Sequence, residues 1–354
     1  MTEEDFLTLI KFTFFVLLSL WILIAFNIWN RKYRQRQLAV IENTFADIVS
    51  RHLYGNLKEE MSLLDIQRTF RNMGISRKKP RNVQFLINLM IRTQRSLLGE
   101  NNKKISELYA KIPPYKASFR KTQDRRWYVR AQGIREIYEM NQPQYTPYIA
   151  KFRNDPNVYI RREAQIALVI FLGWESLRFL PYLDREIELW QQIKIVEKMH
   201  DLYRKPRIEY LKKSYGVKHD SGKELIMRII RKFELQEELD YVITHLCSDS
   251  FQIRETAIYC LSSFKLNSRQ SEAVKNMFGE LKNLQQQRQV LAIIVNSSDN
   301  DDIDFYTKIL KNSTSELLQL KVSEVLWNKG YARRVEKFYR TINKKEAQHK
   351  IMNI

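Results

Sequence analysis

Residues 155–168, DPNVYIRREAQIAL, are the stretch that decides the fold. Counting Asp155 as offset 0, the marked positions are Ile160 at +5, Arg161 at +6, Ala164 at +9, Ala167 at +12 and Leu168 at +13. Offsets +5, +9, +12 and +13 lie on one face of an α-helix, and small residues at +9 and +12 let that face approach a neighbouring helix closely. The pattern therefore predicts a packed helix, with Asp155 capping it or accepting hydrogen bonds from loop amides.

Two other stretches repeat this pattern: DRRWYVRAQGIREI from Asp124 and SDSFQIRETAIYCL from Ser248. Their corresponding residues are Val129 and Ile253 at +5, Arg130 and Arg254 at +6, and Gly133 and Ala257 at +9. Weaker copies begin at residues 184, 221, 283 and 313, so that starts recur every 27 to 37 residues. A two-helix unit has about this length, and self-similarity at such a period is typical of helical arrays.

The pattern resembles the HEAT repeat, whose motif is D-x-x-x-x-V-R-x-x-A-x-x-A-L. The copy at Asp155 matches it with Ile160 in place of Val; the copy at Asp124 departs at +9 and +12, and the third begins with Ser248. The resemblance implies an all-α chain in which residues 121–354 form an α-solenoid. It also implies a structural ladder in which Arg130 and Arg161 pair with Asp155.

Before the repeats, residues 12–29 read FTFFVLLSLWILIAFNIW and contain no charge. About 20 helical residues cross the hydrocarbon core of a bilayer, so residues 1–30 are predicted to be a transmembrane anchor. A cleavable signal peptide would begin with basic residues and end in an A-x-A-like site. Here Glu3, Glu4 and Asp5 precede the span and no such site follows it.

The residues that flank the span predict its orientation. Four basic residues follow it directly: Arg31, Lys32, Arg34 and Arg36. By the positive-inside rule the N-terminus lies outside and residues 31–354 lie in the cytoplasm, as a single-pass membrane protein. Cys247 and Cys260 fall in apolar helical runs, and buried free thiols fit a reducing compartment.

Residues 31–120 are expected to form a basic, helical juxtamembrane region. They contain 19 Lys/Arg and 7 Asp/Glu in a chain whose net charge is +20. Residues 38–53 show an apolar stripe at helical spacing, and further helical stretches are predicted over 58–73, 83–98 and 105–112. The turn SRKKPR, residues 76–81, contributes Arg77, Lys78, Lys79 and Arg81. These side chains either bind anionic lipid or form a solvated charged face.

Motifs that place a nucleophile, a base or a metal-ligand set are missing from the sequence. The five histidines are scattered, and the acidic run at residues 299–304 lacks the Gly and Glu of an EF-hand loop. We therefore expect no catalytic residue, no metal site and no cofactor.

The predicted function is that of a non-enzymatic scaffold that binds a protein partner through the concave face of the array. The chain looks like the single-span HEAT-repeat proteins of bacteria, which implies a membrane protein or membrane-associated complex as partner, with a glycosyltransferase of envelope polysaccharide production as the finer expectation. A signalling or defence adaptor is compatible with the same features. All of these remain binding functions.

The alternative is a nucleic-acid-binding protein or an enzyme like the HEAT-like alkylpurine DNA glycosylases. Asp124, Trp127, Trp174 and Trp190 would supply its acidic and aromatic cleft. We interpret the tryptophans as core residues. A nucleic-acid partner is not expected, because the positive charge is densest beside the membrane and not within the repeats.

The topology can be tested with reporters. A cytoplasm-dependent reporter fused after Ile354 is expected to be active in cells, because the basic cluster retains that side of the span in the cytoplasm. Activity of a reporter that matures only outside the cytoplasm, at the same position, would contradict the orientation.

Overall fold

The computed structural model describes residues 3–54, 62–76, 78–97, 99–112, 114–297 and 302–341, with residues 3–10, 114 and 115 described by their backbone alone. All regular structure in these ranges is helical, and none of these residues lies in a strand. The all-α class is therefore confirmed for the described chain. Two compact units divide it, Met1–Phe171 and Leu172–Ile354.

The first unit contains eight of the α-helices. They are α1 (Glu3–Tyr54), α2 (Leu63–Asn72), α3 (Pro80–Ser96), α4 (Glu100–Lys111), α5 (Pro114–Lys121), α6 (Trp127–Glu139), α7 (Thr146–Ile149) and α8 (Val158–Leu172), with 3-10 segments at Pro143–Tyr145 and Ala150–Phe152. Ser62 caps α2 by accepting the N–H of Asp65 at 3.2 Å. Helix α3 begins at Pro80. Proline lacks a backbone N–H, and at the first position of a helix that N–H would have no helical acceptor. The positive φ of Gly74, +80°, terminates the α2 segment.

Helix α1 is continuous over 52 residues and has two different environments. Every side chain from residue 11 to 36 is exposed within the protein. The later part, by contrast, buries Ile41, Phe45 and Ile48 in the unit's core. The stripe predicted over 38–53 is therefore confirmed, as part of the same helix that carries the apolar run.

By length and composition, α1 is a candidate membrane span. The most apolar 18-residue segment of the stretch Lys11–Tyr54 has a mean hydropathy of 2.2, and none of it is buried. Val158–Tyr182 also passes the test, but its hydropathy is only 1.2 and 61% of its window is buried. The second segment is thus a core element of the folded chain.

The core of the first unit is formed by α1, α2, α3 and α4. Fully buried side chains include Phe70, Leu86, Met90, Ile105 and Tyr109. Amphipathic helices of this kind gain most of their stability from burying one face. The helices predicted between residues 58 and 112 are confirmed, as α2, α3 and α4, for the residues that the structure describes; residues 58–61 and 98 lie outside that part of the chain.

Helices α5 and α6 pack so closely that no side chain fits between them at one point. A Cβ atom added to Gly133 would lie 2.7 Å from the carbonyl oxygen of Ser118 and 2.8 Å from the amide nitrogen of Thr122. This contact joins residues on both sides of the boundary predicted at 120/121, which therefore falls inside the first compact unit. The close approach depends on glycine at offset +9.

The second unit contains the remaining helices. They are α9 (Leu189–Leu202), α10 (Ile208–Lys213), α11 (Asp220–Lys232), α12 (Leu239–Thr244), α13 (Phe251–Leu261), α14 (Ser268–Phe278), α15 (Leu284–Ser297), α16 (Ile303–Asn312) and α17 (Glu316–Asn328), with 3-10 segments at Gly173–Tyr182 and Gln236–Glu238 and a helical stretch at residues 332–341. Alternate helices pack in series: α9 on α11, α11 on α13, α13 on α15 and α15 on α17.

The loops at the start of four sequence copies share one hydrogen-bonding pattern. In the copies at Asp124, Asp155, Ser248 and Ser313 the helix begins at offset +3. In each, the side-chain oxygen at offset 0 accepts the backbone N–H at +2, with distances of 2.9, 2.8, 3.3 and 3.2 Å. In these four copies, therefore, the residue at offset 0 accepts a hydrogen bond from a loop amide.

The residue at offset +6 completes the same loop. Arg130, Arg161 and Arg254 donate to the carbonyl oxygen at offset 0, at 3.0, 2.8 and 2.5 Å. Gln319 makes the corresponding bond to Ser313 at 2.8 Å. Arg130 also lies 3.8 Å from the Asp155 carboxylate of the next copy. Arg130 therefore contacts both its own loop and the neighbouring copy.

In the copies at Asp124, Asp155 and Ser248 the buried face follows the predicted offsets, with one departure. Ile160, Ala164, Ala167, Leu168, Ile253 and Ala257 are at most 3% exposed. Val129 is only half-buried and lines a surface cleft. The register at residue 221 is wrong, because Ser221 lies inside α11 and its hydroxyl accepts the N–H of Ile187 at 2.9 Å.

We expect Gly133→Ala to lower the free energy of unfolding by about 1–3 kcal/mol, because the new methyl group overpacks against backbone atoms that cannot rotate away. Denaturant unfolding of the full chain in detergent measures this. Gly279→Ala is the control: a Cβ there meets nothing within 4 Å and φ is −67°, so stability should hold or rise slightly. Equal effects of the two substitutions would contradict the close approach.

Candidate functional site

The basic cluster after the apolar run lies on α1. Arg31, Lys32, Arg34 and Arg36 are all exposed. Trp29 stacks on Tyr33 with ring centroids 6.2 Å apart, next to these charges. An aromatic pair beside a basic cluster at the end of an apolar helix is the arrangement found at bilayer interfaces.

The second predicted basic cluster lies on the turn before α3. Lys78, Lys79 and Arg81 are exposed, whereas Arg77 lies outside the described residues. The aliphatic stem and Nζ of Lys79 pass over Gly74, where an added Cβ would lie 3.2 Å from both its Cδ and its Nζ. Lys79 therefore folds back over the end of α2.

A buried polar network that the sequence did not reveal lies beneath the junction of α5 and α6. Glu136 is 3% exposed. Its carboxylate accepts from Lys121 Nζ at 2.7 and 2.8 Å and from Gln84 Nε2 at 2.9 Å. The hydroxyl of Ser118 donates to the other side of the carboxylate and accepts from the hydroxyl of Tyr109 at 2.6 Å. Glu136 stands at offset +12, where the motif has alanine, and these partners satisfy the buried charge.

A cleft of about 720 Å³ opens above this network, within the first unit. Helix α5 and the ends of α2, α3, α4 and α6 supply its walls. The cationic residues that line it are Lys111, Lys116, Arg120, Lys121 and Arg126. Among the lining residues that the structure describes, Asp124 is the single acidic one.

An aromatic and cationic surface adjoins the cleft at Arg126. It consists of Arg126, Trp127, Tyr128, Tyr159 and Arg162, and we call it the aromatic patch. Trp127 and Tyr159, from consecutive copies, stack with centroids 4.7 Å apart and an interplanar angle of 20°. The guanidinium of Arg162 lies 5.6 Å from the Tyr159 ring centre and that of Arg126 5.8 Å from the Tyr128 ring centre.

These positions correct one interpretation of the tryptophans. Trp174 is a core residue, 2% exposed, with its indole N–H donating to the Tyr203 carbonyl at 3.1 Å. Trp127 and Trp190, however, are 44% and 45% exposed. Apolar periodicity does not distinguish an aromatic residue at the exposed first turn of a helix from one that faces the core, and the structure resolves the ambiguity.

Asp124 belongs to the loop geometry and also faces Arg126. Its two carboxylate oxygens accept from Arg126 Nε and Nη2 at 3.0 Å each. The Arg126 side chain, and then its backbone N–H, lower the pKa of the Asp124 carboxyl to about 2. This carboxylate is ionised at neutral pH and does not hold a proton to donate.

The cysteines and potential metal ligands are separate from these features. Burial raises the pKa of the Cys260 thiol to about 12 and that of Cys247 to about 11, which keeps both thiols protonated. Both cysteines are free. In the described part of the chain no three His, Cys, Asp or Glu side chains group as metal ligands would.

Comparison with known proteins does not identify a family. No family model and no curated protein matches the sequence. Among solved structures, a crystal structure of an engineered protein is 12% identical, over 82% of this chain and 86% of its own, with a TM-score of 0.32. So low a TM-score carries no argument about fold or function, and the resemblance to HEAT repeats stays a prediction.

We expect the stabilising effect of Asp124 to depend on pH with a definite sign. Its pKa in the folded protein lies below the ordinary value of 3.8, so its contribution is present above that pH and is lost as the pH falls toward 2. Melting temperatures of the full-length wild type and Asp124→Asn should differ at neutral pH and converge as the pH falls to about 2. A constant difference down to pH 2 would contradict an ionised Asp124.

Proposed function

We propose that the chain is a single-span membrane protein whose helical body acts in the cytoplasm as a non-enzymatic, HEAT-like binding scaffold. The observation that carries this proposal is the continuity of α1. One helix has an exposed apolar stretch at residues 12–29 and buries Ile41, Phe45 and Ile48 in the first unit. An exposed stretch of this length and hydropathy is stable in lipid and costly in water.

The orientation follows from charge. Arg31, Lys32, Arg34 and Arg36 follow the apolar stretch, and acidic residues precede it. The positive-inside rule then favours a cytoplasmic body and an external N-terminus. The raised pKa values keep the thiols of Cys247 and Cys260 protonated, and protonated free thiols are compatible with a reducing cytoplasm.

The aromatic patch is the surface that best supports partner binding. Trp, Tyr and Arg are the residue types that dominate binding energy at protein interfaces, and here they occur together and exposed. The arginines favour a partner with an acidic surface. An anchored scaffold meets a partner in the same membrane at a raised effective concentration, so we propose a membrane protein or membrane-associated complex. A glycosyltransferase of envelope polysaccharide production is the specific partner we propose.

Nucleic acid is the second candidate, favoured by one observation. The Trp127–Tyr159 stack flanked by Arg126 and Arg162 also has the composition of a surface on which bases stack. Such binding would weaken steeply with salt. For an enzyme of the glycosylase kind, wild type would release alkylated bases and Asp124→Asn would not; we expect release from neither.

Site-specific photo-crosslinking in native membranes tests the proposed interface. A photoreactive residue at Tyr128, which is 51% exposed, should cross-link to a membrane protein that also recovers this chain when it is itself tagged and purified. We expect Trp127→Ala to reduce the cross-link by about tenfold or more, as loss of an interface anchor does.

Trp190→Ala is the matched control, since Trp190 is 45% exposed but lies in the second unit. Its cross-linking yield and the melting temperatures of both variants should stay near wild type. Cross-links to nucleic acid in place of protein would favour the second candidate. Equal loss in the two variants would exclude the aromatic patch as the interface.

A further inference from the structure

The cleft of the first unit has the charge of an anion-binding site. Among the described residues that line it, Lys121 Nζ lies 2.7 Å from Glu136, and Arg126 lies 3.0 Å from Asp124. Lys111 and Arg120 also line the cleft and add positive charge to it. A cleft with this surplus attracts anions and concentrates them.

The surrounding fold fixes the helix segments that carry these cations. Lys111 ends α4, where its carbonyl oxygen accepts a hydrogen bond from Gln67 Nε2 at 3.0 Å. The next residue, Ile112, is 1% exposed and so pins that end of the helix in the core. Arg120 lies one turn after Lys116 on α5, and its Nε donates to the Lys116 carbonyl at 3.0 Å. Cations on two packed helices therefore border the same space.

The floor of the cleft is apolar and its size suits a small ligand. Ile75, Val83 and Ile112 are between 1% and 8% exposed and line it. The volume of about 720 Å³ falls within the roughly 300–1,000 Å³ usual for small-molecule sites. A ligand that combines a compact anion with an apolar portion fits these walls.

We propose that this cleft binds a phosphate monoester. Phosphate suits it because guanidinium and ammonium donors satisfy several oxygens of one compact dianion. Both a lipid headgroup, as in phosphatidic acid, and a soluble phosphate have this chemistry. Helix α1 runs about 15 Å from Arg31 to its first core residue, Ile41, which keeps the unit close to a bilayer; only the lipid source rests on the proposed anchor.

Two soluble probes distinguish the sources. Titration of the full chain in neutral detergent with inorganic phosphate, and separately with dihexanoyl phosphatidic acid, is followed by calorimetry at constant ionic strength. We expect saturable binding of phosphatidic acid. Saturable binding of inorganic phosphate as well would show that binding does not need the contact with the apolar floor. Dihexanoyl phosphatidylcholine, whose phosphate is a diester masked by a cation, should bind at least about tenfold more weakly.

Paired variants test the site itself. Lys111→Gln with Arg120→Gln should weaken binding by about tenfold or more, since each Lys/Arg near an anionic lipid contributes roughly 1 kcal/mol. Lys103→Gln with Lys151→Gln removes the same charge from exposed residues of the same unit that do not line the cleft, and affinity should change by less than about twofold.

Three results would overturn the proposal: no saturable binding of either phosphate probe, equal loss in both variant pairs, or tighter binding of a polyglutamate peptide than of phosphate. Circular dichroism of each variant verifies that it is folded. The reporter fusion after Ile354 measures the anchor separately, so a failed anchor and a failed phosphate site give different results.

Discussion

The continuity of α1 is the constraint on which the rest of the molecule depends. A helix of 52 residues is about 78 Å long, more than twice what a bilayer core requires. Residues 12–29 expose apolar side chains, and the second half of the helix supplies Ile41, Phe45 and Ile48 to the core of the first unit. Because no loop separates the two halves of α1, the environment that surrounds the apolar half also determines where the first unit lies.

Buried polar side chains form hydrogen bonds between neighbouring helices. These bonds fix the register of the helices, which apolar packing alone does not. Gln84 links Lys121 with Glu136 beneath the cleft. In the second unit, Gln192 contacts Arg228 at 3.0 Å and Glu224 at 3.0 Å, and Gln286 contacts Arg254 at 3.0 Å and Glu255 at 2.8 Å. Each glutamine satisfies a cation with its carbonyl oxygen and a carboxylate with its amide. Because an unpaired buried polar group is costly, these bridges favour one register of neighbouring helices.

In the first unit, the aromatic patch is formed by residues in and next to the loops that start the sequence copies at Asp124 and Asp155. The loop at Asp124 orders Arg126 and presents Trp127, while the loop at Asp155 presents Tyr159 to the same stack. Arg126 also borders the basic cleft, so the two candidate surfaces adjoin. The aromatic patch suits a macromolecular partner and the cleft suits a small anion.

The sequence by itself determined the helical class, the long apolar run, the apolar stripe of residues 38–53 and the residue types at offsets 0 and +6. These follow from local spacing and from hydrogen bonds within a few residues. Only the tertiary structure decided that Trp127 and Trp190 are exposed, that Glu136 at offset +12 is buried among Lys121, Gln84 and Ser118, and that the compact units divide after Phe171. Those properties depend on which distant helices meet, and periodicity within one helix carries no information about its neighbours.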